Sequence, residues 1–276
     1  MNRKEETVSD MTRGQTDGLK TVVLGAGNVA THLSEAFVRA GHAVVQVFSR
    51  TAEHASELAV RLQTSWTTST DAIRQDADLY VFAVSDDALE SLIKAVRPNG
   101  GLWLHTAGSV PMDVFGTMAR CGVLYPLQTF SRSRNVDFSR IPLFVEARQR
   151  DDEELLLNLA RSLSSEVRVI NSAQRKYLHL AAVFACNFAN NMYAQAAEIL
   201  KKADIPWQTL LPLIDETAAK VHNLTPLQAQ TGPAVRNDRR VIEMQKALIE
   251  DAELKNIYEL ISNQIFKYSK YEQYKL

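Results

Sequence analysis

Within 175–202, a stretch that reads as one helix, the apolar, small-residue run Leu180-Ala181-Ala182-Val183-Phe184-Ala185 stands among the polar residues His179, Asn187, Asn190 and Asn191. At about 100° per residue, Asn190 falls about 20° from His179 around the axis and Asn187 about 80°, which predicts one shared face. Asparagine is a poor helix former, so its recurrence implies tertiary contacts that compensate. An imidazole titrates near neutrality, so His179 suits proton exchange with a carbonyl or imine while Asn187 orients the group, with Asn190 beside them at the substrate. The competing reading is a hydrogen-bonded seam against a neighbouring helix or a second subunit. A second cluster, Thr231-Gly232-Pro233 followed by Arg236 and Asp238, sets a planar guanidinium just after a tight turn. That fork suits a carboxylate or phosphate, so Thr231 and Arg236 are expected at the substrate, unless Arg236 serves only an ion pair with Asp238.

The elements that must position these groups begin at residue 20. An apolar strand runs into Gly25-Ala26-Gly27-Asn28-Val29-Ala30 and then into a helix over 28–40 closed by Gly41. Gly25 permits the tight turn, Gly27 lets backbone approach a pyrophosphate, and Ala30 keeps the helix close to the sheet. The N–H groups that open the helix suit phosphates, which makes this a dinucleotide-binding βαβ unit. The returning strand, 43–48, ends in Ser49-Arg50-Thr51. A carboxylate there would accept from the ribose hydroxyls of NAD; a cation and two hydroxyls instead favour NADP. The alternative, Arg50 as a solvated side chain, leaves that choice open. Further strands over 77–84 and from 102 end at Val84-Ser85 and at His105-Thr106, followed by Ser109. A cofactor crossing the carboxyl ends of the strands would pass Val84, Ser85, His105 and Thr106, with Ser109 towards the substrate. For His105, packing is an equal alternative. Asp86 reads as a helix cap, and Tyr125 and Gln128, after a strand from 122, could reach the same crevice.

Strands and helices alternate to about residue 171, the doubly wound α/β pattern, and from 172 on only helical runs appear. The expected organisation is a polar, disordered tail over 1–18, an α/β dinucleotide-binding domain over 19–171, and an all-helical domain over 172–276 for substrate and dimerisation. Bulk properties narrow the function. With 276 residues, 46% apolar content and a net charge of -1, the chain has no basic excess for nucleic acid or an anionic membrane. Two distant cysteines, Cys121 and Cys186, make neither a disulfide framework nor a metal-ligand pair, so no metal is expected and a reducing cytoplasm is the default. No run reaches the ~20 apolar residues of a membrane span.

Taken together, Gly25 to Ala30, Ser49-Arg50-Thr51, His105 to Ser109, Tyr125-Pro126-Leu127-Gln128-Thr129-Phe130, His179 to Asn187, and Thr231 through Asp238 resemble the Rossmann-like proteins that carry the domain of unknown function 2520. These are relatives of pyrroline-5-carboxylate reductase and of the 6-phosphogluconate-dehydrogenase-like group. The resemblance implies an NADP-type Rossmann doubly wound sheet, an all-helical C-terminal domain, and a homodimer whose helical domains pack together. The hydroxyacid dehydrogenases of that group carry Lys followed four residues later by Asn; here Lys176 is followed at that spacing by Leu180, and His179 with Asn187 is the nearest substitute. The resulting expectation is an NADP-dependent reductase or dehydrogenase acting on a small carbonyl, imine or alcohol between the domains. The rival is a dinucleotide-binding regulator or sensor without turnover.

Overall fold

A computed structural model describes residues 18–273. Of the tail expected over 1–18, residues 1–17 lie outside the described residues, whereas Gly18 is seated against the chain: a Cβ on it would fall 1.9 Å from the Gly41 carbonyl oxygen. The described residues divide into two compact units, with the break between Asn190 and Asn191. No described helix is long and apolar enough to cross a membrane.

The first unit is built on one eight-stranded sheet in the order β3-β2-β1-β4-β5-β6-β7-β8. Its strands are β1 (Lys20–Leu24), β2 (Ala43–Phe48), β3 (Ser65–Thr67), β4 (Leu79–Phe82), β5 (Leu102–His105), β6 (Cys121–Pro126), β7 (Leu143–Ala147) and β8 (Val167–Val169). The helices α1 (Asn28–Arg39), α2 (Ala52–Leu62), α3 (Asp86–Ala95) and α4 (Arg150–Leu163) lie between successive strands, while β5 passes to β6 through a 3-10 helix, Met112–Phe115. The central strands β4, β5 and β6 are buried along their whole length because both faces are covered. Alternate residues feed two cores: Val23, Leu79, Val81, Leu102 and Leu104 lie on one face, and Val22, Leu24, Tyr80, Phe82 and Trp103 on the other. The sheet order through β6 is the Rossmann order, and it reverses between β1 and β4.

One feature departs from uniform alternation. β7 is antiparallel to β6, and β8 then pairs parallel with β7. The connection from β6 to β7 carries only a short 3-10 turn, Phe138–Arg140, and β7 returns alongside β6 in the opposite sense.

After β8, α5 (Ser172–Ala182) leads into a π-helical turn, Val183–Phe188, and then α6 (Ala189–Lys201). The predicted helix is present, but the π turn widens its hydrogen-bonding from i→i+4 to i→i+5 and resets the angular phase. The shared face predicted for His179, Asn187 and Asn190 assumed an unbroken 3.6 period, which the π turn interrupts. The second unit holds α7 (Leu211–Lys220), α8 (Pro226–Ala229), α9 (Arg239–Ala247) and α10 (Ala252–Gln273). Among its described residues, Ala234 alone is buried.

Candidate functional site

The switch point between β1 and β4 opens into a cleft of about 1010 Å³. Its floor is the glycine turn. Gly25 has φ +126°, and a Cβ there would meet the Ala83 carbonyl oxygen at 2.2 Å, so β1 can turn against the end of β4 only at glycine. A Cβ on Gly27 would meet nothing within 4 Å, leaving open space directly over the backbone. Gly27 also stands at the N-cap of α1 with no side-chain cap, and no acidic residue lies in the first turn. The first N–H groups of a twelve-residue helix therefore face the cleft beside Asn28 and Val29. Ala30 is fully buried beneath them, which lets α1 sit close to the sheet.

At one end of the cleft are Ser49, Arg50 and Thr51, where β2 stops, with His54 from the first turn of α2 and the hydroxyls of Thr68, Ser69 and Thr70. The lining there contains no carboxylate. His54 was not singled out from sequence; its place three residues after Thr51, on a helix that starts at Ala52, is the only signal for it. Val84, Ser85 and Thr106 line the cleft as expected.

At the other end His179 meets Tyr125. The phenol oxygen and His179 Nδ1 are 3.0 Å apart, with the rings edge-on at 6.1 Å between centroids. Gly108 makes the room: a Cβ there would lie 2.4 Å from His179 Nδ1 and 3.0 Å from Tyr125 Cζ. Burial pushes the Tyr125 phenol above its usual pKa, partly opposed by the Arg175 guanidinium, so the phenol keeps its proton at neutral pH. One hydrogen thus lies along the O···N line, and the ring Nε2 on the far side completes a donor pair able to pass a proton.

The reason His179 stands there lies one helical turn earlier. Asn171 and Gln174 form a capping box that fixes the start of α5. Arg175, 1% exposed, donates to the Glu146 carboxylate of β7, to the Val110 carbonyl at 2.7 Å and to Ser172 Oγ at 3.1 Å. Glu146 in turn accepts the Ser172 N–H at 2.9 Å. Residues four apart share a helix face, so the bolt at Arg175 aims His179 at the cleft. Sequence reading passed over both Arg175 and Glu146, because a buried Arg–Glu pair 29 residues apart leaves no local pattern.

Several expected site residues lie elsewhere. His105 is fully buried in the core against Phe115, with Nδ1 accepting the Ala107 N–H at 3.2 Å, and does not line the cleft. The strand-end position was read correctly, but the side chain points to the packed face. Burial and the nearby Arg175 guanidinium push its pKa from 6.5 down to about 3. Below pH 6.5 the unfolded chain therefore takes up a proton that the folded chain refuses. Stability present above that pH is lost towards pH 3, at about 1.4 kcal/mol per pH unit from this group. Urea midpoints followed against pH are expected to fall less steeply in His105→Gln than in the unchanged protein.

Ser109 is exposed and donates to the Asp86 carboxylate rather than lining the cleft; Asp86 itself does line it. Asp86 is the first residue of α3 and not its cap, which is Ser85. Asn187 and Asn190 are exposed and outside the cleft. Thr231 and Arg236 belong to the second unit, Thr231 beside an apolar hollow of about 350 Å³ and Arg236 exposed.

Two family models match the sequence: a Rossmann-like domain over residues 3–130, and the Domain of unknown function (DUF2520) over residues 141–265. No curated protein matches it. Among solved structures, a candidate NADP oxidoreductase from Bacteroides fragilis is 46% identical with a TM-score of 0.84, over 91% of this chain and 99% of that one. The reductive aminase of Aspergillus terreus, in complex with NADPH and ethyl-5-oxohexanoate, is 16% identical (TM-score 0.70, covering 91% and 94%). The 1-pyrroline-5-carboxylate reductase of Streptococcus pyogenes is 12% identical (TM-score 0.64, covering 92% and 99%). These last two share the fold. The chain belongs to the family of Rossmann-like proteins that carry DUF2520.

Proposed function

We propose that this protein is an NADP-dependent oxidoreductase that moves a hydride to or from a small carbonyl, imine or alcohol. One observation carries the reading: a single cleft holds an uncapped phosphate turn, a cationic, carboxylate-free β2 end, and a His–Tyr proton-donor pair. The printed description of the Bacteroides fragilis relative supports it. The residues fit the cofactor. The space over Gly27 suits a pyrophosphate, the α1 N–H groups suit its oxygens, and Arg50 with Ser49 and Thr51 suits the 2′-phosphate. Bound there, NADP supplies the hydride chemistry. The chain's own part is to hold the phosphates at one end and deliver or accept a proton at the other, through His179 and Tyr125. Arg236 and Thr231 are our candidates for holding an anionic group on the substrate.

A homodimer is part of the same proposal. In the second unit Leu248 is 79% exposed, Leu260 66% and Leu213 62%, apolar side chains that a second copy would cover. Light scattering on the purified protein should give twice the chain mass.

The first test is fluorescence titration with NADPH and NADH, with Arg50→Ala as comparison. Losing a charge-assisted contact costs about 1.5–3 kcal/mol, so NADPH should weaken about 10–100-fold in the variant while NADH hardly changes. Binding of neither nucleotide by the unchanged protein would remove the oxidoreductase reading. Binding is then followed by NADPH oxidation across a panel of carbonyls, with and without amines.

A further inference from the structure

The loop that follows β6 is tied across the glycine turn. Asn28 Nδ2 donates to the Phe130 carbonyl at 2.9 Å, and His32 Nε2 lies 3.1 Å from the Ser131 carbonyl. The His32 ring stacks on Phe130 at 5.1 Å, and Phe130 stacks on Phe138 at 6.1 Å. Both anchors, Asn28 and His32, belong to the first turns of α1, so the loop is fastened to the element that opens the phosphate site. The next residue in the loop is Arg132. Its guanidinium donates to the Ala26 carbonyl inside the glycine turn and pairs with Glu57 of α2 at 3.4 Å.

That guanidinium faces two spaces at once: the main cleft, and a small recess between the glycine turn and α2 that His54 also lines. Its contacts with Ala26 and Glu57, and the recess it shares with His54, set it between the glycine turn and α2, and Arg50 and His54 line the same main cleft. Its present partners are weak competitors for an anion. The Ala26 carbonyl is neutral, and an ion pair with its acid 55% exposed contributes about 0–1 kcal/mol.

We propose that Arg132 is a specificity-determining contact to the 2′-phosphate of the dinucleotide, brought in by the post-β6 loop to face Arg50, with Glu57 holding the guanidinium until the phosphate displaces it. This rests on the NADP reading above. A guanidinium fork can engage a phosphate through two donors, and a dianion outcompetes a half-solvated carboxylate. NADH, which lacks that phosphate, gains nothing from the exchange.

The test is equilibrium binding of NADPH and NADH to the full chain carrying R132Q, R132K, E57Q or R132Q with E57Q, with unfolding midpoints measured in parallel. The expected result is NADPH weakened about 10-fold or more in R132Q, NADH changed less than about threefold, and R132K in between. E57Q should tighten NADPH severalfold, and that gain should vanish when R132Q is added, because the freed group is Arg132 itself. Equal weakening of both nucleotides in R132Q would place the contact elsewhere and overturn the proposal, as would unchanged NADPH binding or an E57Q gain that persists without Arg132. Should R132Q fail to fold, the R132K and E57Q measurements decide in the same sense. An unchanged protein that binds neither nucleotide would sink the NADP reading and this proposal together, whereas NADPH binding indifferent to Arg132 would sink this proposal alone.

Discussion

Replacing His179 with Ala is expected to lower kcat by about 10²–10⁴-fold, the range for loss of a positioned proton donor, while leaving NADPH affinity within about threefold. The expectation follows from where the side chain stands. It reaches the cleft at the end away from Ser49, Arg50 and Thr51, and its Nδ1 lies 3.0 Å from the Tyr125 phenol in space kept clear by Gly108. Tyr125→Phe removes the partner but not the imidazole, so its loss should be smaller. The measurement is steady-state NADPH oxidation with the best substrate from the carbonyl and amine panel. Unchanged turnover in His179→Ala would remove this pair from the chemistry, whatever the cofactor.

The second large effect is structural. R175M should reduce folding stability by about 3–5 kcal/mol in urea denaturation, because it leaves the Glu146 carboxylate, 14% exposed, without its counter-charge. The same change frees the start of α5, so kcat should fall along with stability. Adding E146L to R175M should recover part of the stability, since the orphaned charge is then gone. A loss of stability in the pair equal to the sum of the two single changes would mean that Arg175 and Glu146 do not act as a unit.

Much of this was legible in the residues. Gly25, Gly27 and Ala30 mark their turn because each spacing answers to a backbone demand, and the apolar runs of β1, β4 and β5 read as buried strands because both faces are covered. Ser49-Arg50-Thr51 could be placed at the cleft from chain order alone. His179 was legible as an oddity in an apolar helix. What escaped notice has a common character. Arg175 with Glu146, Arg132 with Ala26 and Glu57, and Tyr125 with His179 are pairings between residues far apart in the chain, and nothing in the local composition signals them. The π turn escaped for another reason: Val183–Phe188 has the composition of an ordinary helix, so the angular argument that grouped Asn187 and Asn190 with His179 carried a period that the backbone does not keep. His105 shows the limit of reading a strand end, since alternation fixes which residues change face but not which face meets the crevice.

The two outermost strands of the sheet, β3 and β8, are each only three residues long. Short edges offer few free backbone groups for another chain to template upon, and Arg168 in the middle of β8 adds a charge to that rim. Amyloid-like growth and sheet-to-sheet merging between copies are therefore disfavoured at both ends. Association of copies is left to side-chain surfaces, which is where the uncovered leucines of the helical unit would direct it.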